Sequence, residues 1–548
     1  MPGQANSRSL PGRPNLRHLK LEAKRRVAAG EFPTLHEAQV TIAREHGLPN
    51  WTALKQQISE NRDSHAVDQL GWVISRFAGA DQPDWTAPAA DELNEHFDDR
   101  FLAALPPPVL IEAISKAAAD LREGEPVVLD QTPVQAYVEL NGVQYLAVVE
   151  AEPPHRLTGL RGLPIGRRVH DQRTANPPVQ TQGEVPGGIS EIADLAEQAF
   201  AELGLTALLL AGGDAHTPTW VLTRGWADLD RGEPLEGGHR FPVPGATVLV
   251  TATAVLALVA DGRISLDGRA NDQLRSIRLA DDTITVRELL SHTAGVDSPS
   301  PAELHADAVP ELKDLMGPVI ACTGPRGTVD PSNGGCAVLG QLAADVTVLP
   351  YAEAATQLVL KPLGLQDSSF PARAPDKDPD TVTGYQLTFE GRFEPVPARI
   401  PTLQAAAGLW STGADLVRLG LGWSSLLPEA LAHEALTPQT GPGPGGSSGI
   451  RVGLGWLLSP RGDIATHAGA NVDGTAAITS RVRDQRTHVV LTSRMIPVNS
   501  IETRLLRAWT NPALTTKNGE PPCTIRTRPA PRCQSSVNRP SRPRSSTP

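Results

Sequence analysis

Thr247, Ser332 and His467 have side chains of the types that acyl or proton transfer uses. A hydroxyl becomes a nucleophile when an imidazole or amine within hydrogen-bond reach takes its proton. Ser332 and His467 can form such a dyad only if loop geometry brings them within ~3 Å. Thr247 stands in FPVPGATVLVTATAVLALVADG, read as an apolar helix, and its i+3 neighbour is Val250. It has no basic partner on its own face and reads as an ordinary first-turn threonine. From Phe241 to Leu266 there is no lysine, and no serine before Ser265. The four cysteines, Cys322, Cys336, Cys523 and Cys533, lack metal spacing with histidine and are too few for a disulfide framework. No metal and no cofactor are expected.

The elements that must position these groups belong to a long chain. Its 548 residues predict roughly three or four domains. Apolar residues make up 40% and aromatic residues only 4%, with 49 Gly and 50 Pro, so cores of Ala, Leu and Val joined by many turns are expected. The net charge of −11 is uneven. From Thr515 onward seven basic residues face Glu520 alone, a net of +6, which leaves −17 on the preceding 514 residues. An acidic body without a basic stripe disfavours nucleic acid as the main partner. The tail over 513–548, rich in Pro, Ser and Arg, reads as solvated and disordered. The first thirty residues carry basic groups but no uninterrupted apolar segment, which predicts neither signal peptide nor membrane anchor, and so a cytoplasmic protein.

Residues 12–62 read as a small helical module. LRHLKLEAKRRVAAG has helical leucine spacing, Thr34 and Glu37 form a capping-box pattern ahead of Val40, Ile42 and Ala43, and Asn50 can cap WTALKQQISE. Its basic residues read as a solvated face. Residues 68–165 read as a small α+β domain: helices GWVISRFAGA, ELNEHFDDRFLAAL and VLIEAISKAAADL, then strands. VQAYVEL and VQYLAVVE flank Asn141-Gly142, which predicts a type I′ hairpin. FDDRFLAALPPPVLIEAI with this hairpin resembles the steroid-isomerase-like domain that precedes a β-lactamase-like domain in clavulanic-acid pathway proteins. The resemblance implies a cone-shaped fold, with no isomerase activity inferred.

A Pro, Gly and Gln-rich linker over 166–188 leads to the largest unit, 189–512, which opens with the helix ISEIADLAEQAFAEL and the strands LTALLLAG and TWVLTRGWADL. From Gly225 the motifs GWADLDRGEPLEGGHRF, VTATAVLALVADGRISLD, ITVRELLSHTAGV, PSNGGCAVLGQLAADVT, AAAGLWSTGADLVRLG and THAGANVDG follow in order. They resemble the superfamily of serine β-lactamases, penicillin-binding DD-peptidases and esterases. That resemblance implies a β-lactamase/transpeptidase-like α+β fold, an antiparallel sheet flanked by helices.

It also implies a site: a serine opening a buried helix, a lysine at i+3, a tyrosine from Tyr-x-Asn, a Lys- or His-x-Gly strand and two backbone amides for the oxyanion. Carried over, the serine position holds Gly245, the lysine position Val248 and the tyrosine position Pro331. None of the three has acid–base chemistry. Ser332 and Asn333 keep the rest of the loop motif, and His467 and Gly469 match His-x-Gly. The amides of Gly245 and Ala470 are then the candidate oxyanion donors, and Asn333 a candidate to hold a substrate amide. His292, in LLSHTAGV, reads as a satisfied turn or core residue.

The first expectation is therefore a β-lactamase-related chain without efficient acyl-enzyme chemistry that retains a pocket for a small acyl, ester or β-lactam-like ligand. Loss of a serine nucleophile costs on the order of a million-fold in turnover. A second reading is an active hydrolase, esterase or acyltransferase using Ser332 or Thr247. A third is a chain without selected function or with a frame change near its end, which the tail after Leu514 supports. Membrane and nucleic-acid partners are not expected, and the oligomeric state is left open.

Overall fold

The computed structural model describes residues 64–510 apart from short internal stretches, the longest being 441–450, together with 34–45 and a few positions nearby. The basic tail over 513–548 and most of the first and third expected N-terminal helices lie outside the described residues. The helix Leu35–Glu45 is present, with Glu37 N donating to Thr34 Oγ1 at 3.2 Å and Ala38, Ile42 and Ala43 buried.

Residues 64–164 make helices followed by a four-stranded antiparallel sheet, Val127–Gln131, Gln135–Leu140, Val143–Val149 and Leu157–Pro164, in chain order. The two hairpin strands bury alternate residues, as period-two patterning requires. Asn141 (φ 51°) and Gly142 (φ 72°) both take the left-handed conformation of the expected type I′ turn. Two expected helices are divided. ELNEHFDDRFLAAL breaks at Phe97, which is extended and bridges Leu157, and Asp98 restarts the helix by accepting from Phe101 N at 2.7 Å. VLIEAISKAAADL is interrupted between Pro107–Ser115 and Ala118–Glu123. Phe77, Phe97, Leu110 and Leu140 belong to an apolar cluster of this segment.

From 179 to 510 the frame is a nine-stranded antiparallel sheet. Its order is Arg451–Val452, Leu457–Leu458, Ile464–Asn471, Gly474–Arg481, Arg486–Thr492, Ala207–Asp214, Trp220–Asp228 and Val179–Gln182, with Glu233–Pro234 paired to Trp220–Asp228. Strand Ala207–Asp214 is apolar without alternation because both its faces are covered. Ala207, Leu209 and Ala211 pack in the cluster of helix Pro244–Ala260, whereas Leu208 and Leu210 pack with Ile192, Phe200, Ile501 and Leu505 of the helices Ile189–Glu202 and Asn499–Thr510.

Helix Pro244–Ala260 is apolar all round and buried on nearly every side. Its run of Thr and Val has modest helix propensity, so packing stabilises it rather than backbone preference. Pro244 stands in its first turn, and Gly262 (φ 69°) follows its C-cap Asp261. The short strand Phe241–Pro242 pairs with Trp410–Ser411, Val243 N donates to Leu409 O at 2.9 Å, and these bonds fix where the helix begins. No single described helix is long and apolar enough to cross a membrane.

Candidate active site

Helix Pro244–Ala260 packs against both helix Asn333–Thr347 and strand Ile464–Asn471. What they bring together is backbone. A Cβ on Gly245 would stand 2.5 Å from Gly469 N and 2.6 Å from the carbonyl carbon of Ala468; a Cβ on Gly469 would stand 2.5 Å from Gly245 N. Each glycine is therefore needed by the close approach of the other's chain. A hydroxymethyl group at 245 has no room unless the strand moves outward.

One turn on, Val248 is 8% exposed and packs with Cys336, Ala337, Leu403 and Ala406. Burial pushes the Cys336 thiol up to about 12, a measure of how poorly this surrounding supports charge. An ammonium in place of Val248 would meet the same penalty.

The hydroxyls are engaged elsewhere. Thr247 Oγ1 donates to Val243 O at 3.0 Å and accepts from Leu409 N at 3.1 Å. Ser332 caps helix Asn333–Thr347: its Oγ accepts from Gly335 N at 3.0 Å and donates to Val296 O at 2.6 Å. No hydrogen bond joins Ser332 to His467 among the described residues. Pro331 and Asn333 are exposed at the mouth of this helix, and Ala470 is exposed on the strand.

His467 and His292 each have an Nδ1 that is sealed from solvent and without a hydrogen-bond partner among the described residues. Burial pushes His467 down to about 3 and His292 down to about 4, and the two rings are close enough for His292 to depress His467 further. Both are neutral at pH 7. An imidazole that binds a proton so weakly is a poor general base. His292 follows the C-cap of helix Val286–Leu290 with a positive φ (55°).

The open space lies to either side. A cavity of about 540 Å³ includes Arg275, Glu311, Gln341, Tyr351 and Gln404 in its wall. Another of about 380 Å³ includes Asp228, Asp378, Thr383, Arg399, Trp410 and Asp473. Gly245, Val248, Ser332, Asn333 and His467 line neither. Asp473, Arg399 and Trp410 went unnoticed as candidates in the sequence. The available signal was the Asp-Gly turn that closes THAGANVDG, which holds a carboxylate at the end of the motif strand.

The family model for Beta-lactamase matches residues 192–508, more than half of the chain. The chain belongs to the Beta-lactamase family. It is 28% identical over 303 residues to Esterase EstB of Burkholderia gladioli, a match covering 45% of this chain and 74% of that one. It is 26% identical over 174 residues to Protein flp of Staphylococcus aureus (strain N315), covering 30% of this chain, and so spans about a third (34%) of that protein's length. Among solved structures, a penicillin binding protein from Bacillus halodurans superposes with a TM-score of 0.50 at 19% identity, over 59% of this chain and 99% of that one. This last likeness concerns the Beta-lactamase fold alone.

Proposed function

We propose that this Beta-lactamase-family protein forms no acyl-enzyme and acts by binding a small acyl, ester or β-lactam-like compound. The observation that carries the reading is the backbone contact of Gly245 with Gly469. It fills the volume a serine side chain would need, at the helix turn where the family pattern places the nucleophile. The apolar setting of Val248, the engaged hydroxyls of Thr247 and Ser332 and the weakly basic His467 support the same reading. The residual rate left by binding and amide donors alone is only about 10³–10⁴ over water.

Intact-mass measurement after incubation with a fluorophosphonate and with a penicillin tests it. The expected spectrum shows the unmodified mass; stoichiometric addition of either reagent overturns the reading. The opposing proposal, an active hydrolase, draws on the esterase relative. It requires ester hydrolysis that disappears in Ser332→Ala or Thr247→Val. We also propose three folded units, over 12–62, 68–165 and 189–512, the second of steroid-isomerase-like shape and the third joined at its sheet edge by strand Val179–Gln182 of the expected linker, in a cytoplasmic protein.

A further inference from the structure

The 380 Å³ cavity is walled by charges, most of which already have partners. Asp228 accepts from Arg231 N at 2.9 Å and from Thr383 Oγ1 at 3.0 Å. Asp230 pairs with Arg173, Asp378 pairs with Arg240 at 2.6 Å, and Arg231 pairs with Glu233 at 2.8 Å. Two charged groups remain. Asp473 has a carboxylate oxygen, Oδ1, buried with no hydrogen-bond partner among the described residues. Arg399 is exposed and has no ion pair or hydrogen bond among the described residues. They line the same cavity and do not pair with each other.

A buried carboxylate oxygen without a donor is costly to keep, and such groups in folded proteins call for an explanation. Asp473 is also held in place rather than left free to turn outward. It sits in the tight turn between strands Ile464–Asn471 and Gly474–Arg481, and a Cβ on Gly384 would stand 2.6 Å from its Cα, so the neighbouring chain presses on it from behind. The wall also includes the apolar side chains of Val382, Val396 and Trp410. A cavity of this volume that sets fixed charged groups beside apolar side chains has the build of a small-molecule site.

We propose that this cavity binds a small zwitterion of the α-amino-acid type, its ammonium on the sheltered Asp473, its carboxylate on Arg399 at the mouth, and its side chain against Trp410 and Val382. A monocation would leave Arg399 without a partner and a monoanion would face four carboxylates, so only the zwitterion satisfies both groups. Burial raises the Asp473 carboxyl to about 6, and a bound ammonium would return it toward the ordinary range. Zwitterion binding here and acyl transfer at Gly245 are separable, because Gly245 does not line this cavity.

Titration calorimetry of the full-length protein with leucine, leucinamide and 4-methylpentanoate tests it. Leucine is expected to bind, with either half-ligand weaker by at least about tenfold, the size of one lost charge-assisted hydrogen bond. Asp473→Asn is expected to remove the advantage of leucine over 4-methylpentanoate, and Arg399→Gln its advantage over leucinamide. Circular dichroism identifies any variant that fails to fold, and Arg399→Gln, at an exposed position, then decides alone. Equal affinity for all three probes, no saturable binding of leucine up to millimolar concentration, or an unchanged preference in folded Arg399→Gln overturns the proposal.

Discussion

Gly245 N lies 2.5 Å from the point where any side chain on Gly469 would begin, and Gly469 N lies at the same distance from the corresponding point on Gly245. Two chain segments that an acyl-transfer site would hold apart around a serine are in contact.

Each glycine should resist replacement. Gly245→Ala or Gly469→Ala is expected to cost about 1–3 kcal/mol by overpacking against backbone. The double variant should cost less than the sum, because one outward shift of the strand relieves both clashes. Urea unfolding of the three variants measures this; strictly additive losses, or none, would contradict the contact. Gly245→Ser alone should remain unreactive toward fluorophosphonate.

Val248 answers a different question. Val248→Met keeps an apolar group of similar reach and should cost under about 1.5 kcal/mol, whereas Val248→Lys buries a charge among Cys336, Leu403 and Ala406 and should cost about 3 kcal/mol or more. A Val248→Lys protein as stable as the parent would mean that the apolar cluster opens readily.

Acid should destabilise this fold through its histidines. His292, His467 and His488 are held neutral by burial, at about 4, 3 and 4, against an ordinary value near 6.5. Below pH 6.5 the unfolded chain takes up protons that the folded chain refuses, so stability falls as pH drops from about 6.5 toward 4. For His292, only 7% exposed, the loss at the bottom of that window is on the order of 3 kcal/mol. Melting temperature followed between pH 7 and 4 should decline, and His292→Leu should flatten the decline by about one proton.

Ser332→Ala should lower stability by about 1 kcal/mol, the usual value of a helix N-cap. It should leave ligand binding unchanged. Chemical denaturation checks the first statement, and a binding change without a stability change would return Ser332 to the list of functional groups.

Val348 closes the helix Asn333–Thr347 in the left-handed conformation (φ 59°, ψ 37°) and is 74% exposed. A β-branched residue there is strained and has little packing to lose. Val348→Asn is therefore expected to raise stability by about 1 kcal/mol, seen as a higher midpoint in urea at unchanged slope.

The residues show how far the sequence could be read. The order of motifs from Gly225 onward led to the family, and the Asn141-Gly142 dipeptide between two alternating runs led to the hairpin of the preceding segment. The helix breaks at Phe97 and Lys116 were illegible, since a bridge to Leu157 and a cap by Asp98 are tertiary and local facts that apolar spacing does not encode. At the candidate site the missing side chains were plain, but the contact between Gly245 and Gly469 was not. Glycine in a sequence gives no sign of whether it leaves a gap or lets another chain fill it.

The order of strands also governs how this chain must come together in time. Strand Ala207–Asp214 has Arg486–Thr492 as one of its two neighbours, so the middle of the sheet joins segments from opposite ends of the family domain. During synthesis the early hairpin of 207–228 must wait, with one apolar edge unpaired, until roughly 260 further residues have emerged. Non-local closure of this kind slows folding and leaves a sticky edge exposed. Chaperone supply and growth temperature, more than final stability, should then set how much soluble protein a cell obtains.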